Sequence, residues 1–195
     1  MKKEFTLTIY TENQVGLINK IAIMFSRRKI SLESFNTSPS EVPNIYRFTI
    51  VVIESEAVVK NLVKQIEKIV DVFIVYCNTN KEIVWQQMAL YKVPTEVIIK
   101  EVKVERLLRE YGAKAVVIRS DYTVFEATGQ GDEINKLLKK LDKFGLIEFV
   151  RSSRIAIINA SDGIHKKVVE MEMQNPALQS INNTFLDKKD QIFQM

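Results

Sequence analysis

The residues best placed to do chemistry lie between 12 and 16: Glu12-Asn13-Gln14-Val15-Gly16. They sit where an alternating segment hands over to a helical one. Such a handover leaves the first backbone N–H groups of the helix unpaired, at the positive end of its dipole. A small carboxylate can dock there with no catalytic side chain involved. Asn13 is placed to be the N-cap, and Gly16 permits close backbone passage. Taken alone, the loop is better accounted for by a plain N-cap with a glycine for close backbone passage.

The other reactive groups are sparse. The chain has one histidine and one cysteine, so zinc-ligand spacing and an internal disulfide are both ruled out. His165 reads as exposed and inert, and Cys77 as packing within a strand. There is no phosphate-cradling P-loop, and Gly129-Gln130-Gly131 is too short for a dinucleotide fingerprint. Arg27-Arg28-Lys29 suits the last turn of a helix. A strand at Ile45-Tyr46-Arg47-Phe48-Thr49-Ile50 lacks the glycine-containing aromatic motif of RNA-binding sheets. No catalytic or metal residue is expected.

The elements that must position the loop follow from periodicity. Phe5, Leu7 and Ile9 alternate with Thr6, Thr8 and Tyr10, which predicts a half-buried strand. Ile18, Ile21, Ala22 and Phe25 fall on one helical stripe. Strands are expected over 30–37, 45–53 and 71–78. A second helix opens at Glu54-Ser55-Glu56 and carries Val59, Leu62, Val63, Ile66 and Val70. The order is βαββαβ, a ferredoxin-like unit with an antiparallel sheet and both helices on one face.

A second pass begins after the polar stretch 78–82. Strands are expected over 87–93, 113–119, 122–127 and 146–150, the last extending to 155–158 after a bulge at Ser152-Ser153. A helix lies between Glu96 and Tyr111, although Val97-Ile98-Ile99 fit a strand extension equally well. Another starts at Gly129–Asp132 and ends at Gly145. The reading is α+β, two ferredoxin-like domains at 1–80 and 81–158. A polar C-terminal tail occupies 159–195, with Val168, Val169 and Met171 in a short helix.

The 195 residues are 46% hydrophobic, with 28 basic and 24 acidic side chains giving +4. That balance demands no nucleic acid. No apolar run is long enough to span a bilayer, and Met1-Lys2-Lys3 is followed by alternation and not by a signal-peptide core. A single cysteine fits a reducing, cytoplasmic setting.

Glu12-Asn13-Gln14-Val15-Gly16-Leu17-Ile18, then Phe25-Ser26-Arg27-Arg28, then Ile30-Ser31-Leu32-Glu33-Ser34, resembles the ACT domain of the acetohydroxyacid (acetolactate) synthase regulatory, or small, subunit family. Val70-Asp71-Val72, Tyr122-Thr123-Val124 and Phe149-Val150-Arg151-Ser152 resemble its later strands. The ordered set covers about residues 1–158.

The resemblance implies a non-catalytic homodimer that binds and activates a catalytic large subunit. That partner would carry thiamine diphosphate, Mg and FAD, and this chain would carry no cofactor. It implies feedback by valine or another branched-chain amino acid held between two ACT domains. Asn13 would hold the effector by its amide, with Gln14 and Val15 in the same loop. Backbone N–H groups near Gly16, Leu17 and Ile18 would take the carboxylate. The start of the partner's second strand, around Ser31, would complete the pocket. The family commonly has asparagine where this chain has Ser31, and a smaller residue than Leu17. Two other functions remain open: a stand-alone amino-acid sensor acting on another enzyme, and an acylphosphatase-like hydrolase. The hydrolase needs an arginine in the first loop, where this chain has Asn13 and Gln14.

Overall fold

The alternation of Phe5, Leu7 and Ile9 with threonines builds the central strand of the first sheet, because successive side chains leave a strand on opposite faces. The computed structural model describes residues 1–174. Strand β1 (Lys2–Glu12), helix α1 (Leu17–Arg27), strands β2 (Ser34–Pro39) and β3 (Ile45–Ser55), helix α2 (Glu56–Ile66) and strand β4 (Val72–Asn78) follow in turn. The sheet order is β2-β3-β1-β4. β1 pairs antiparallel with β3 on one edge and with β4 on the other. This is the expected βαββαβ arrangement.

Helix α1 buries Leu17, Ile21 and Phe25, spaced four apart, and α2 buries Val59, Leu62 and Ile66. With Leu7, Ile9, Ile50 and Val52 they form the core of this unit. Each such side chain contributes roughly 2 kcal/mol on removal from water.

The second pass repeats the pattern. Strand β5 (Ile83–Pro94) leads to helices α3 (Thr95–Lys100) and α4 (Val102–Glu110), then strands β6 (Lys114–Ile118) and β7 (Tyr122–Gly129), helix α5 (Gly131–Asp142), and strands β8 (Glu148–Arg151) and β9 (Ile155–Ile158). The order is β6-β7-β5-β8, with β9 also pairing β5. Its core gathers Tyr91, Val93, Val104, Phe125, Leu137 and Leu141. The buried Tyr91 hydroxyl donates to the Ile134 carbonyl of α5 at 3.0 Å, which satisfies its one polar atom.

Two compact units result. Residues 1–33 and 37–82 form the first together with the described residues from Ile158; residues 34–36 and 83–157 form the second. The segment after 158 contains helix α6 (Ile164–Gln174). It is longer than the short helix expected around Val168–Met171. Its Ile164 is buried in a cluster with Tyr10 and Ile45 of the first sheet. The remainder of the expected tail, 175–195, lies outside the described residues.

Several boundaries differ from expectation. The second strand starts at Ser34 and not at Ile30, because α1 ends in a Schellman motif. Lys29 N–H donates to the Ser26 carbonyl at 3.0 Å, and Ile30 N–H to the Phe25 carbonyl at 3.1 Å. This holds Lys29 in the left-handed region at φ 56°. Val97, Ile98 and Ile99 are helical, and the helix expected over 96–111 is two helices broken at Glu101 (φ −110°, ψ 90°). Strand β5 begins four residues before the expected Gln87.

Cys77 is half-buried, and burial, helped by the charges of Glu82 and Glu56, raises its thiol from an ordinary 9.0 to about 11. The folded state therefore holds this proton more tightly than the unfolded chain. The stability it contributes is complete below pH 9 and is lost as pH rises toward 11.

Two outcomes follow. Lys29→Gly relieves a left-handed lysine and stabilises the fold by about 0.5 kcal/mol net of glycine's entropy cost, read from urea unfolding midpoints. Iodoacetamide labels Cys77 at pH 8 about a hundredfold more slowly in native protein than in urea, in proportion to the thiolate present; equal rates overturn the burial argument.

Candidate functional site

The loop between β1 and α1 is held by backbone. Glu12 N–H donates to the Asp71 carbonyl at 2.9 Å, and Asn13 N–H to the Asn44 carbonyl at 3.1 Å. Asp71 leads into β4 and Asn44 into β3, so the starts of both neighbouring strands grip the loop where it leaves the sheet. Asn44 itself stands at φ 61°. Its turn-forming residue type was the signal for this contact, which sequence reasoning missed.

Gly16 is the N-cap, at φ 84° and ψ −4°, and no side chain caps the helix. The expected cap, Asn13, is corrected: it lies three residues upstream, and the left-handed turn that starts the helix belongs to glycine. The Lys20 amide is the one that reaches back to the Gly16 carbonyl, at 3.1 Å. By helix geometry the amides of Ile18 and Asn19 precede the ladder and face outward. The Leu17 amide instead meets the Gln14 carbonyl at 3.3 Å.

Asn13, Gln14, Val15 and Gly16 are exposed, with Val15 fully so. Ile18 is half exposed, whereas the Leu17 side chain is buried in the core at 2%. Its bulk therefore does not stand in the crevice. Gln14 Nε2 donates to the Glu12 carboxylate at 3.4 Å, and Lys20 pairs with Asp71 at 2.9 Å. Both carboxylates that flank the loop are therefore engaged, Glu12 by the Gln14 amide and Asp71 by the Lys20 ammonium.

Ser31 does not join them within one chain. It is exposed beyond the far end of α1, and eleven helical residues span about 16 Å. Glu33, two residues on, donates its N–H to the Val51 carbonyl, and Val51 is the register partner of Thr6, six residues along β1 from Glu12. That is about 20 Å of strand. Asn13 through Ile18 form one end of the unit, and Ser31 belongs to the other.

A separate cleft of about 340 Å³ lies in the second unit, lined by Tyr91, Tyr111, Thr128, Glu133 and Lys136 among others. Among the described residues no three His, Cys, Asp or Glu side chains gather as metal ligands, and no helix is long and apolar enough to cross a membrane. His165 is exposed.

Residues 7–74 match a family model described as the AHAS small subunit-like ACT domain, and residues 86–160 match one described as the small subunit of acetolactate synthase. The acetolactate synthase small subunit of Bacillus subtilis is 31% identical over 157 residues, 80% of this chain and 90% of that one. The chain belongs to the acetolactate synthase small-subunit family. The small subunit of Aquifex aeolicus is 27% identical over 80% of this chain and 81% of its own length. The crystal structure of the small subunit from Thermotoga maritima shares the fold, with a TM-score of 0.73 at 22% identity over 82% of this chain and 99% of that one. The first unit is accordingly an ACT domain with ferredoxin-like architecture, and it carries the loop described above.

Gly16→Ala forces a Cβ into a left-handed backbone although no atom lies within 4 Å to clash. We expect a loss of about 1 kcal/mol from backbone strain alone, measured by chemical unfolding; an unchanged midpoint overturns the cap assignment.

Proposed function

We propose that this chain is the non-catalytic regulatory subunit that binds and activates the catalytic large subunit of acetolactate synthase, and that the 12–18 loop receives the branched-chain amino acid that feeds back on the pair. Thiamine diphosphate, Mg and FAD belong to the catalytic partner in this reading. Both proteins work in the cytoplasm.

The observation that carries the effector site is the N-terminus of α1 behind Gly16, left without a side-chain cap in the loop that follows Glu12. An α-amino acid needs donors for its carboxylate, acceptors for its ammonium and an apolar pocket for its side chain. The Ile18 and Asn19 amides supply the first at the positive end of the dipole. Glu12, whose carboxylate is held only by the neutral Gln14 amide, supplies negative charge for the second. Val15 and Ile18 offer the apolar surface. Asn13 holds the ligand through its amide.

The pocket is completed by a second copy. Ser31 lies at the wrong end of its own chain, so only another protomer brings that region to the loop. β2, which follows Ser31 in the chain, is an edge strand of the first sheet. A ligand bridging two chains favours one dimer geometry, and that differential affinity is what coupling to the catalytic subunit requires.

Mixing the purified chain with the catalytic subunit is expected to raise its turnover and to form a complex on gel filtration; neither happening refutes the assignment. Valine is expected to lower the activity of the mixture. Asn13→Ala should weaken that inhibition by about tenfold, the loss of one hydrogen bond to a charged ligand group, with activation kept. Inhibition unaltered by the substitution removes Asn13 from the site.

A further inference from the structure

Helix α6 begins four residues beyond the stretch matched by the small-subunit family model, which ends at 160. We infer that α6 is a strap across the end of the first sheet that holds the β1–α1 loop in place, so that docking of the helix and order in the loop rise and fall together.

The argument starts from what α6 covers. Ile164 is 1% exposed, and it is buried in a cluster with Tyr10 at 7% and Ile45 at 6%. Val168, one helical turn on, packs on the same cluster with Val42, Phe73, Ile74 and Tyr76. Positions i and i+4 share a helix face, so one short stripe makes the contact. Tyr10 and Tyr76 meet edge to face at 6.4 Å, and the Arg47 guanidinium lies 5.6 Å from the Tyr10 ring centre. The patch is therefore ordered aromatic surface.

The covered residues are those next to the loop's anchors. Ile45 is the register partner of Glu12 and directly follows Asn44, whose carbonyl holds the Asn13 amide. Phe73 and Ile74 follow Asp71, whose carbonyl holds the Glu12 amide, and Ile74 is the register partner of Tyr10. One helix face thus clamps β1, β3 and β4 at the ends from which the loop is hung. Packed interiors shift as units, and undocking the strap frees all three ends at once. The strap itself stands on these contacts alone; its bearing on an amino acid rests on the function proposed above.

Hydrogen exchange in the full chain tests it. In the native protein the α6 amides should exchange more slowly than in the unfolded chain; free exchange there overturns the proposal. The double substitution Ile164→Ser with Val168→Ser should speed exchange at Glu12 and Asn13 by about fivefold or more, through local opening. The α2 amides at Leu62 and Ile66 should stay protected, which shows that the fold survives. Ile164→Leu should behave as the native chain does. Faster α6 exchange with Glu12 and Asn13 unchanged overturns the coupling. Calorimetry with valine separates the two readings. If the native chain binds valine, the double variant should bind it about fivefold more weakly; equal affinity contradicts the strap. A native dimer that binds no valine refutes the ligand assignment, and the exchange result still decides the strap.

Discussion

Two backbone hydrogen bonds hold the end of β1 where it becomes a loop: Glu12 N–H to the Asp71 carbonyl, and Asn13 N–H to the Asn44 carbonyl. Everything proposed for the first unit depends on them. They join three strands at one corner of the sheet and point the chain at the helix. Gly16 then turns it through a left-handed conformation that non-glycine residues adopt at a cost. A helix whose first amides face outward is the consequence, and no side chain has to be spent on capping it.

The two units solve one packing problem twice. In each, a strand paired on both edges carries the alternating pattern, and amphipathic helices cover the core. Small changes distinguish them. The first uses a bare glycine at the start of α1, whereas α5 opens with a reciprocal cap in which the Gln130 amide donates to the Glu133 carboxylate at 2.9 Å. That carboxylate occupies the orphan donor that an incoming anion would use. Helix α5 follows the third strand of its unit and is the counterpart of α2, and its start is closed to such a ligand by its own sequence.

Periodicity made most of the fold legible in the sequence. Phe5–Tyr10 alternates cleanly, Ile45–Ile53 is rich in β-branched and aromatic residues, and the stripes of α1, α2 and α5 are unbroken. What escaped notice was written in backbone conformation. A Schellman turn built on Lys29 lacks the usual glycine, so the segment after α1 read as strand too early. Glu101 breaks a helix without proline or glycine. The site was legible as a stretch but not as geometry: Gly16 and not Asn13 caps the helix, Leu17 points into the core, and Ser31 stands at the opposite end. Sequence order gives no account of which end of a helix a residue faces once the chain has turned back. Asn44 carried a turn-forming residue type, but neither it nor Asp71 says in sequence which amide its carbonyl will hold.

The first unit takes back the chain after the second is finished, since the described residues from Ile158 group with residues 1–33 and 37–82. During synthesis the ribosome must therefore deliver the whole of the second unit before Ile164 can reach Tyr10. The aromatic corner stays wet on the nascent chain, and a ferredoxin-like unit that could otherwise fold as it emerges waits on later codons for its last apolar cover.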